Sequence, residues 1–416
     1  MGARGEHLVR ADRGFATGAG LLGRLAAPAF RKLIDQLDRR LVAGGIHATL
    51  PDGSSREIGF RAPGPAAIVN LQSWMGLVRL GTSGSVGWYK AWSLGEWSSP
   101  DPVVLFELFT ANAVALGSAA RSKGPFRWLN ALRHRLRDNA PAQARENIAA
   151  HYDLGNDFYA AWLDETMTYS SAWFERETQD LAAAQRHKVA QLLDRLELKP
   201  GDRLLEIGCG WGSLAIEAAR RGANVIGLTL STEQKAWSER EAAAAGLSDR
   251  ITIRLQDYRD VREQFDAVAS VEMVEAVGQR WWGAYLDCIA ANLAPGGRAA
   301  LQFISIRPEL FDRYSTSADF IQTYIFPGGM LLNEPLFASL AEQRGLSWRD
   351  RSESLRLHYA ETLKQWRHRY DAVVAAGDLP GFSGEFHQLW RYYLMYCEGG
   401  FRGGSIDVAQ VTLQRR

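Results

Sequence analysis

The chain has 416 residues, of which 46% are apolar and 23% are charged, and its formal net charge is +1 at pH 7. This composition indicates a folded globular protein of two or three domains and excludes long disorder. The small net charge argues against a nucleic-acid partner, and the lack of 18 consecutive apolar residues argues against a membrane-spanning helix.

Charge is distributed unevenly along the sequence. Residues 1–145 contain 19 Lys and Arg against 10 Asp and Glu, a net charge of +9, and the remaining residues carry −8. A basic front half suits an anionic membrane surface or another phosphate-bearing partner. The alternative is a set of scattered, solvated arginines.

The three cysteines are far apart in sequence, so neither a disulfide framework nor a metal site is expected. The N-terminal residues include no apolar signal segment. We therefore expect a cytoplasmic protein that, if its substrate is lipid, reaches the bilayer from outside.

The first predicted domain, residues 1–118, is a small α+β unit. Residues 21–43 have apolar residues at helical spacing, with a break or kink expected at Pro28. Alternating residues on both sides of the turn sequence 51–53 predict strands. Residues 101–117 begin with Asp and Pro, which is typical of a helix N-terminus.

Residues 119–147 predict a basic linker that is interrupted by Pro and Gly. Its arginines alternate with Phe126, Trp128 and Leu132, and such a segment can lie on an anionic membrane surface. The alternative is an amphipathic helix docked between the two domains.

Strands and helices alternate in the second predicted domain, residues 148–416. Ser231 is placed to cap one of the helices. The alternation predicts an α/β fold with a parallel, doubly wound, Rossmann-like sheet. The predicted strands are residues 202–209, 223–230, 251–257, 265–271 and 298–304.

Three glycines follow the first of these strands at every second position. In the sequence Glu206-Ile-Gly208-Cys-Gly210-Trp-Gly212, glycine allows a sharp turn and the close approach of a ligand. The spacing differs from the dinucleotide pattern GxGxxG, and no Lys-Ser or Lys-Thr follows as in a P-loop. An acid two residues before the first glycine is typical of S-adenosylmethionine (SAM) methyltransferases, where it helps to hold the amino end of the methionine moiety. A glycine-rich turn without a ligand is the alternative.

Polar residues near the next two strand ends complete the predicted cofactor site. Most such enzymes have an acid for the ribose at the end of the second strand, whereas this chain has Thr229, Ser231 and Gln234. Asp257 is placed to accept a hydrogen bond from the adenine amino group. A capping role for Asp257 is the alternative.

Six further sequence blocks resemble the cyclopropane fatty acid synthase family and occur in the family's order. With GWYKAWSLGEWSSPD (87–101), which is similar to the family's N-terminal domain, the resemblance covers roughly residues 85–416. The six blocks are HYDLGNDFYAAWLDETMTYSSAWF (151–174), VIGLTLSTEQ (225–234), SVEMVEAVG (270–278), SADFIQTYIFPGGM (317–330), HYAETLKQW (358–366) and YYLMYCEGGFRGGSIDVAQVTL (392–413).

The resemblance implies a class I methyltransferase fold and C-methylation of a cis double bond in an unsaturated phospholipid acyl chain. Methyl transfer leaves a carbocation, and loss of a proton from the new methyl carbon closes a cyclopropane ring. Loss of another proton would give a methyl- or methylene-branched chain, and a noncatalytic lipid-binding relative is a further alternative. The resemblance also implies a peripheral position at the inner face of the membrane and a possible homodimer.

In the family the base is a bound bicarbonate. The resemblance implies that it is held here by Glu275, Tyr359, Gln302 and main-chain groups near Ile304 and Ser171. Ser171 replaces a common Cys that acts largely through its main chain. Gln302 replaces a common His, and a glutamine can donate a hydrogen bond but cannot carry a positive charge.

Several aromatic residues receive roles from the same resemblance. Tyr169 and Ser170 match positions that close over the cofactor, and Tyr152 is expected nearby. Residues 324–329 are expected to line the acyl tunnel or to shape its mouth. Residues 386–397 and the pair Trp281-Trp282 are expected to pack in the core.

Overall fold

The computed structural model of the chain describes residues 4–10, 27–117, 154–176, 178–317 and 319–416. The predicted linker at 119–147 and Tyr152 lie outside these residues. Within them, the helices and strands follow in chain order. The helices are α1 (Glu6–Val9), α2 (Ala27–Arg40), α3 (Met75–Ser93), α4 (Pro102–Ala111), α5 (Ala113–Leu116), α6 (Asn156–Trp162), α7 (Leu181–Asp194), α8 (Ser213–Arg220), α9 (Thr232–Ala244), α10 (Trp282–Asn292), α11 (Pro308–Ser315), α12 (Glu334–Glu342), α13 (Arg356–Ala376) and α14 (Gly384–Gly403). The strands are β1 (Gly45–Thr49), β2 (Ser55–Gly59), β3 (Ala66–Leu71), β4 (Trp97–Ser98), β5 (Arg203–Ile207), β6 (Asn224–Thr229), β7 (Ile251–Leu255), β8 (Phe265–Val271), β9 (Leu293–Ile306), β10 (Leu346–Arg351) and β11 (Ile406–Arg415).

These elements form two compact units, and neither unit is continuous in sequence. The first combines the N-terminal elements with Glu309–Pro327 and Pro380–Ile406. We had expected both of these later segments within the domain 148–416. The division at residues 118 and 147 therefore stays a prediction, and the grouping of the two segments differs from it.

The first unit contains a four-stranded sheet in the order β2-β1-β3-β4. β1 is antiparallel to β2 and parallel to β3. The turn between β1 and β2 lies at the sequence Pro-Asp-Gly, where Gly53 N donates to Leu50 O at 2.9 Å. The sequence prediction of strands on both sides of this turn is confirmed.

Two predicted helices of the first unit differ in detail from expectation. Pro28 lies in the first turn of α2 and does not break the helix, because an N–H is not needed there. Residues 101–117 form α4, capped by the Asp101 side chain, and the short helix α5. Between them lies Asn112, whose buried side chain accepts hydrogen bonds from Val42 N and Ala43 N.

The core of the first unit is aromatic and includes α14, as expected for residues 386–397. Rings of Tyr89, Phe320, Tyr324 and Tyr392 pack with centroid distances between 4.8 and 5.3 Å. All four rings are buried. Residues 320–325, which the sequence blocks place beside the acyl tunnel, thus belong to this core.

The second unit is built on a seven-stranded sheet in the order β10-β11-β9-β8-β5-β6-β7. The pairs β5-β6, β6-β7, β5-β8 and β8-β9 are parallel, and β10-β11 is antiparallel. The predicted α/β fold is confirmed. Because β5 lies between β6 and β8, the chain order reverses at β5, and ligands bind at such a point in open α/β sheets.

Local sequence signals explain how this sheet is connected. Ser231 caps α9 as predicted, since its Oγ accepts from Gln234 N at 3.2 Å. Trp282 is fully buried at the start of α10, which confirms its expected packing role. The edge pair β10-β11 was not predicted, because its pairing joins residues more than 50 positions apart.

Close packing of α14 on α4 gives a stability test. A Cβ at Gly399 would lie 2.5 Å from Phe106 Cβ and 2.7 Å from Val103 O. We expect Gly399→Ala to lower the free energy of unfolding by about 1–3 kcal/mol through overpacking. Gly384, in the same helix, has no heavy atom within 4 Å of an added Cβ among the described residues. Gly384→Ala is therefore the control, and equal denaturant midpoints for the two variants would contradict the packing.

Candidate active site

The loop between β5 and α8 has a backbone that suits only glycine. Gly208, Gly210 and Gly212 have φ of 82°, 52° and 91°. A Cβ at Gly208 would lie 2.7 Å from Met273 Cγ, and a Cβ at Gly212 would lie 3.0 Å from Ser238. At Gly210, by contrast, no described heavy atom lies within 4 Å of an added Cβ. The loop therefore packs tightly on both sides and is open at its middle glycine.

Glu206, the acid before this loop, is buried at the end of β5. Burial raises the pKa of its carboxyl to about 8, while the charge of Lys188 and the N–H of Ala215 oppose the rise. Its Oε2 has no hydrogen-bond partner among the residues that the structure describes. A buried acceptor of this kind at the glycine loop can receive an ammonium group.

The polar residues after β6 form one hydrogen-bonded group. Thr229 Oγ1 donates to Gln234 Oε1 at 2.7 Å, and Ser231 N donates to Thr229 Oγ1 at 3.1 Å. Gln234 Nε2 is buried and has no partner within the described part of the chain. Glu206 and Gln234 therefore offer one buried acceptor and one buried donor, which suits a ligand that carries both ammonium and hydroxyl groups.

Asp257 is engaged by its own turn. Its carboxylate accepts from Arg259 N and Nε, both at 2.9 Å, and from Arg259 Nη2 at 2.7 Å. This is the capping role that the sequence left as the alternative. Its contact with adenine stays a prediction.

Tyr169 and Ser170 pack beside the site. The Tyr169 ring lies 5.3 Å from Trp366 and 5.7 Å from Trp162, centroid to centroid. Ser170 Oγ accepts a hydrogen bond from Lys188 Nζ at 2.6 Å. Their closure over the cofactor stays a prediction.

Glu272, which the sequence reasoning missed, gathers three donors immediately after β8. Its Oε1 accepts from Ser171 N at 2.9 Å and from Gln302 Nε2 at 2.8 Å. The Tyr359 hydroxyl also hydrogen-bonds to its carboxylate. The signal that could have found Glu272 is its position, since an acid at the carboxyl end of a parallel strand faces the ligand edge.

Gln302 is held in one orientation by residues of a distant strand. Its Oε1 accepts from Gln410 Nε2 at 3.1 Å, and Gln410 Nε2 also donates to Lys188 O at 3.0 Å. Because the carbonyl of Gln302 is used in this way, its NH₂ group points to Glu272. Neither Gln410 nor Lys188 was predicted from sequence.

Glu275 lies in the turn after Glu272 and has a different environment. Its Oε1 accepts from Ile304 N, and its Oε2 is buried without a partner among the described residues. Burial, followed by the charge of Glu272, raises the pKa of Glu275 to about 8. Glu275 is therefore mostly protonated at neutral pH.

Lys188 is the buried cation behind the site. Burial lowers its pKa to about 8, and the charges of Glu272, Asp164 and Glu206 oppose the fall. Lys188 thus interacts with the acid of the glycine loop and with the acid after β8. The two halves of the site share one positive charge.

The residues expected to hold bicarbonate do meet in space, but they do not fit that anion. Ser171 N, Gln302 Nε2 and the Tyr359 hydroxyl contact Glu272, and Ile304 N contacts Glu275. Each predicted donor is therefore engaged by a carboxylate of the chain itself.

Comparison with known proteins identifies the family. A sequence model of the mycolic acid cyclopropane synthetase family matches residues 139–411. This chain belongs to that family. It is 42% identical over 349 residues to tuberculostearic acid methyltransferase UfaA1 of Mycobacterium tuberculosis, a match that covers 81% of this chain and 80% of that protein. It is 35% identical to cyclopropane-fatty-acyl-phospholipid synthase of Escherichia coli K12 over 64% of this chain and 66% of that protein.

Solved structures of the cyclopropane synthetase family agree with the fold. The crystal structure of mycolic acid cyclopropane synthase CmaA1 complexed with SAH and CTAB has a TM-score of 0.60 and 33% identity, and it covers 65% of this chain and 98% of that one. The protein is thus a SAM-dependent methyltransferase, and Glu206, Gly210 and Gln234 fit the cofactor. None of the described helices is both long and apolar enough to cross a bilayer.

The open space at Gly210 gives a test of the cofactor loop. We expect Gly210→Val to weaken S-adenosylhomocysteine binding by more than about 100-fold, because the side chain would fill the cradle. Isothermal titration calorimetry measures the change. Gly246→Val is the matched control, since Gly246 has φ of 69° and equally open space after α9, at the end remote from Ser231. Equal affinities in the two variants would contradict the loop assignment.

The pKa of Glu275 gives a test by stability. The native carboxyl keeps its proton up to about pH 8, whereas the unfolded one releases it near 4.5. Stability therefore falls as pH rises through this window, and Gln, which has no proton to lose, avoids the fall. We expect Glu275→Gln to gain about 2 kcal/mol in unfolding free energy relative to wild type between pH 5 and pH 8.

Urea unfolding at the two pH values measures this gain. The control is Glu197→Gln, because the Glu197 side chain is largely exposed. A difference between Glu275→Gln and wild type that does not change with pH would contradict the raised pKa.

Proposed function

We propose that this enzyme methylates the cis double bond of an unsaturated phospholipid acyl chain. The observation that carries the proposal is the contact between the cofactor loop and the turn that bears Glu272 and Glu275. A Cβ at Gly208 would lie 2.7 Å from the side chain of Met273, between these two acids. A methyl donor and a basic group therefore meet at one edge of the sheet.

The residues around the loop have distinct binding roles in this proposal. Glu206 Oε2 accepts from the methionine ammonium, and Gln234 Nε2 donates to a ribose hydroxyl. Gly210 allows the close approach of the ligand to the backbone. When bound, SAM supplies an electrophilic methyl group. An alkene is a weak nucleophile, so the chain must hold the double bond in line with that group and exclude water.

Aromatic rings support the exclusion of water. The Trp366 ring lies 5.3 Å from Tyr169 and 6.1 Å from Tyr359, whose hydroxyl bonds to Glu272. Such rings are apolar, and their π faces favour a nearby positive charge. They suit a carbocation formed on the acyl chain.

A methyl- or methylene-branched chain is the product that we favour. The 42% identical relative is named as a methyltransferase of tuberculostearic acid, whereas the two cyclopropane synthases are 35% and 33% identical. Gln302 stands where the cyclopropane synthases commonly have His. The cyclopropane product is the second candidate, and the family name favours it.

We also propose that the enzyme is cytoplasmic and works at the inner face of the membrane. The net charge of +9 in residues 1–145 supports this proposal, because basic residues are attracted to anionic lipid. The phospholipid headgroup would stay near this basic part while its acyl chain enters the second unit.

The product test uses purified enzyme, SAM and dioleoyl phosphatidylglycerol vesicles. We expect release of S-adenosylhomocysteine and, in proton NMR of the fatty acids, vinyl or allylic signals of a methylene branch. Upfield ring protons would establish the cyclopropane instead. Vesicles of saturated dimyristoyl phosphatidylglycerol are the control, because they lack the alkene. Release that is equal with both lipids, or absent with both, would contradict the proposed substrate.

A further inference from the structure

The backbone at Glu272 is unusual and places its carboxylate firmly. Its φ is 49°, and in the described part of the chain only three other non-glycine residues, Phe60, Met167 and Glu197, have positive φ. This conformation costs a β-carbon residue about 1 kcal/mol. Glu272 N donates to Gln302 O at 2.8 Å, so the turn is fixed to β9. Strain held by surrounding contacts is typical of functional positions.

The donors around Glu272 form an anion site. Ser171 N and Gln302 Nε2 donate to one carboxylate oxygen, and the Tyr359 hydroxyl also hydrogen-bonds to the group. A carboxylate has the same planar O–C–O arrangement as bicarbonate. The chain therefore fills, with its own side chain, the place that the resemblance gave to a diffusible anion.

The two acids of the turn differ in the number of groups that favour their ionised form. Glu272 has three hydrogen-bond donors and the charge of Lys188. Glu275 has the N–H of Ile304 and a neighbouring negative charge. Environments that separate two acids in this way assign the ionised role to one and the neutral role to the other. Glu272 is the acid that stays ionised.

We infer that the Glu272 carboxylate is the base of this enzyme and that it replaces bicarbonate. The inference deepens the proposed function and rests on it. After methyl transfer, one carbon of the former double bond carries a positive charge. A Glu272 oxygen takes a proton from an adjacent carbon, so that an O–H bond forms as the C–H bond breaks.

The C–H electron pair then closes either a carbon–carbon double bond or the third bond of a ring. The carboxylic acid passes its proton to water when the product leaves. No oxidant or further reactant is needed. Because the base is part of the backbone turn after β8, it has one fixed position relative to the acyl chain, and that position selects which proton is lost.

The test compares wild type with two variants in buffer freed of carbon dioxide, with SAM and dioleoyl phosphatidylglycerol vesicles. We expect the wild-type rate to be unchanged when bicarbonate is added. Glu272→Gln should lose at least about 100-fold in rate, the scale of general-base catalysis, and should still bind S-adenosylhomocysteine. Glu272→Gly should be equally slow without added anion.

Bicarbonate should then restore the rate of Glu272→Gly by at least about tenfold, because the donors of Ser171, Gln302 and Tyr359 become available to it. Glycine suits the positive φ, so this variant should fold. Glu197→Gly is the matched control, since Glu197 has φ of 53° and an exposed side chain. It should keep the wild-type rate with and without bicarbonate.

Several results would overturn the inference. They are stimulation of wild type by bicarbonate, normal turnover by Glu272→Gln, and failure of bicarbonate to restore Glu272→Gly. If wild type itself yields no methylated lipid under any of these conditions, the proposed function fails. That result is separate from the outcomes that concern the base.

Discussion

A buried negative charge at the end of β8 is the constraint around which this site is organised. A carboxylate without water must be surrounded by donors, or its pKa rises until it is neutral. At Glu272 the donors come from three separate parts of the second unit: the segment before α7, strand β9 and helix α13. The requirement of one ion therefore fixes the relative positions of these three elements.

The cofactor loop and the acid turn are not independent sites. Lys188 is fully buried and interacts with the charges of Glu206 and Glu272. Removal of either negative charge would leave the ammonium less compensated, and a buried unpaired charge is costly. The charge state at one end of the site thus influences the other through a single side chain. Met273, packed against Gly208, connects the same two regions by contact.

The sequence predicted well those features that depend on neighbouring residues. The parallel strands, the cap at Ser231 and the glycine loop follow from periodicity, capping chemistry and φ preference. Features that depend on distant contacts were not predicted. The segments 309–327 and 380–406 join the first unit, and Gln410 meets Gln302 across 108 positions. Glu272 was missed because the resemblance directed attention to Glu275, and no local pattern shows where two acids three residues apart will direct their side chains.

Strand β11 lies between β10 and β9 in the sheet, and its Gln410 orients the amide that contacts Glu272. During synthesis the glycine loop, both acids and the tyrosine all emerge well before this strand. The nascent chain therefore cannot assemble a complete catalytic centre until the ribosome has passed Gln410. Premature alkylation by a half-made enzyme is prevented by the order of translation itself.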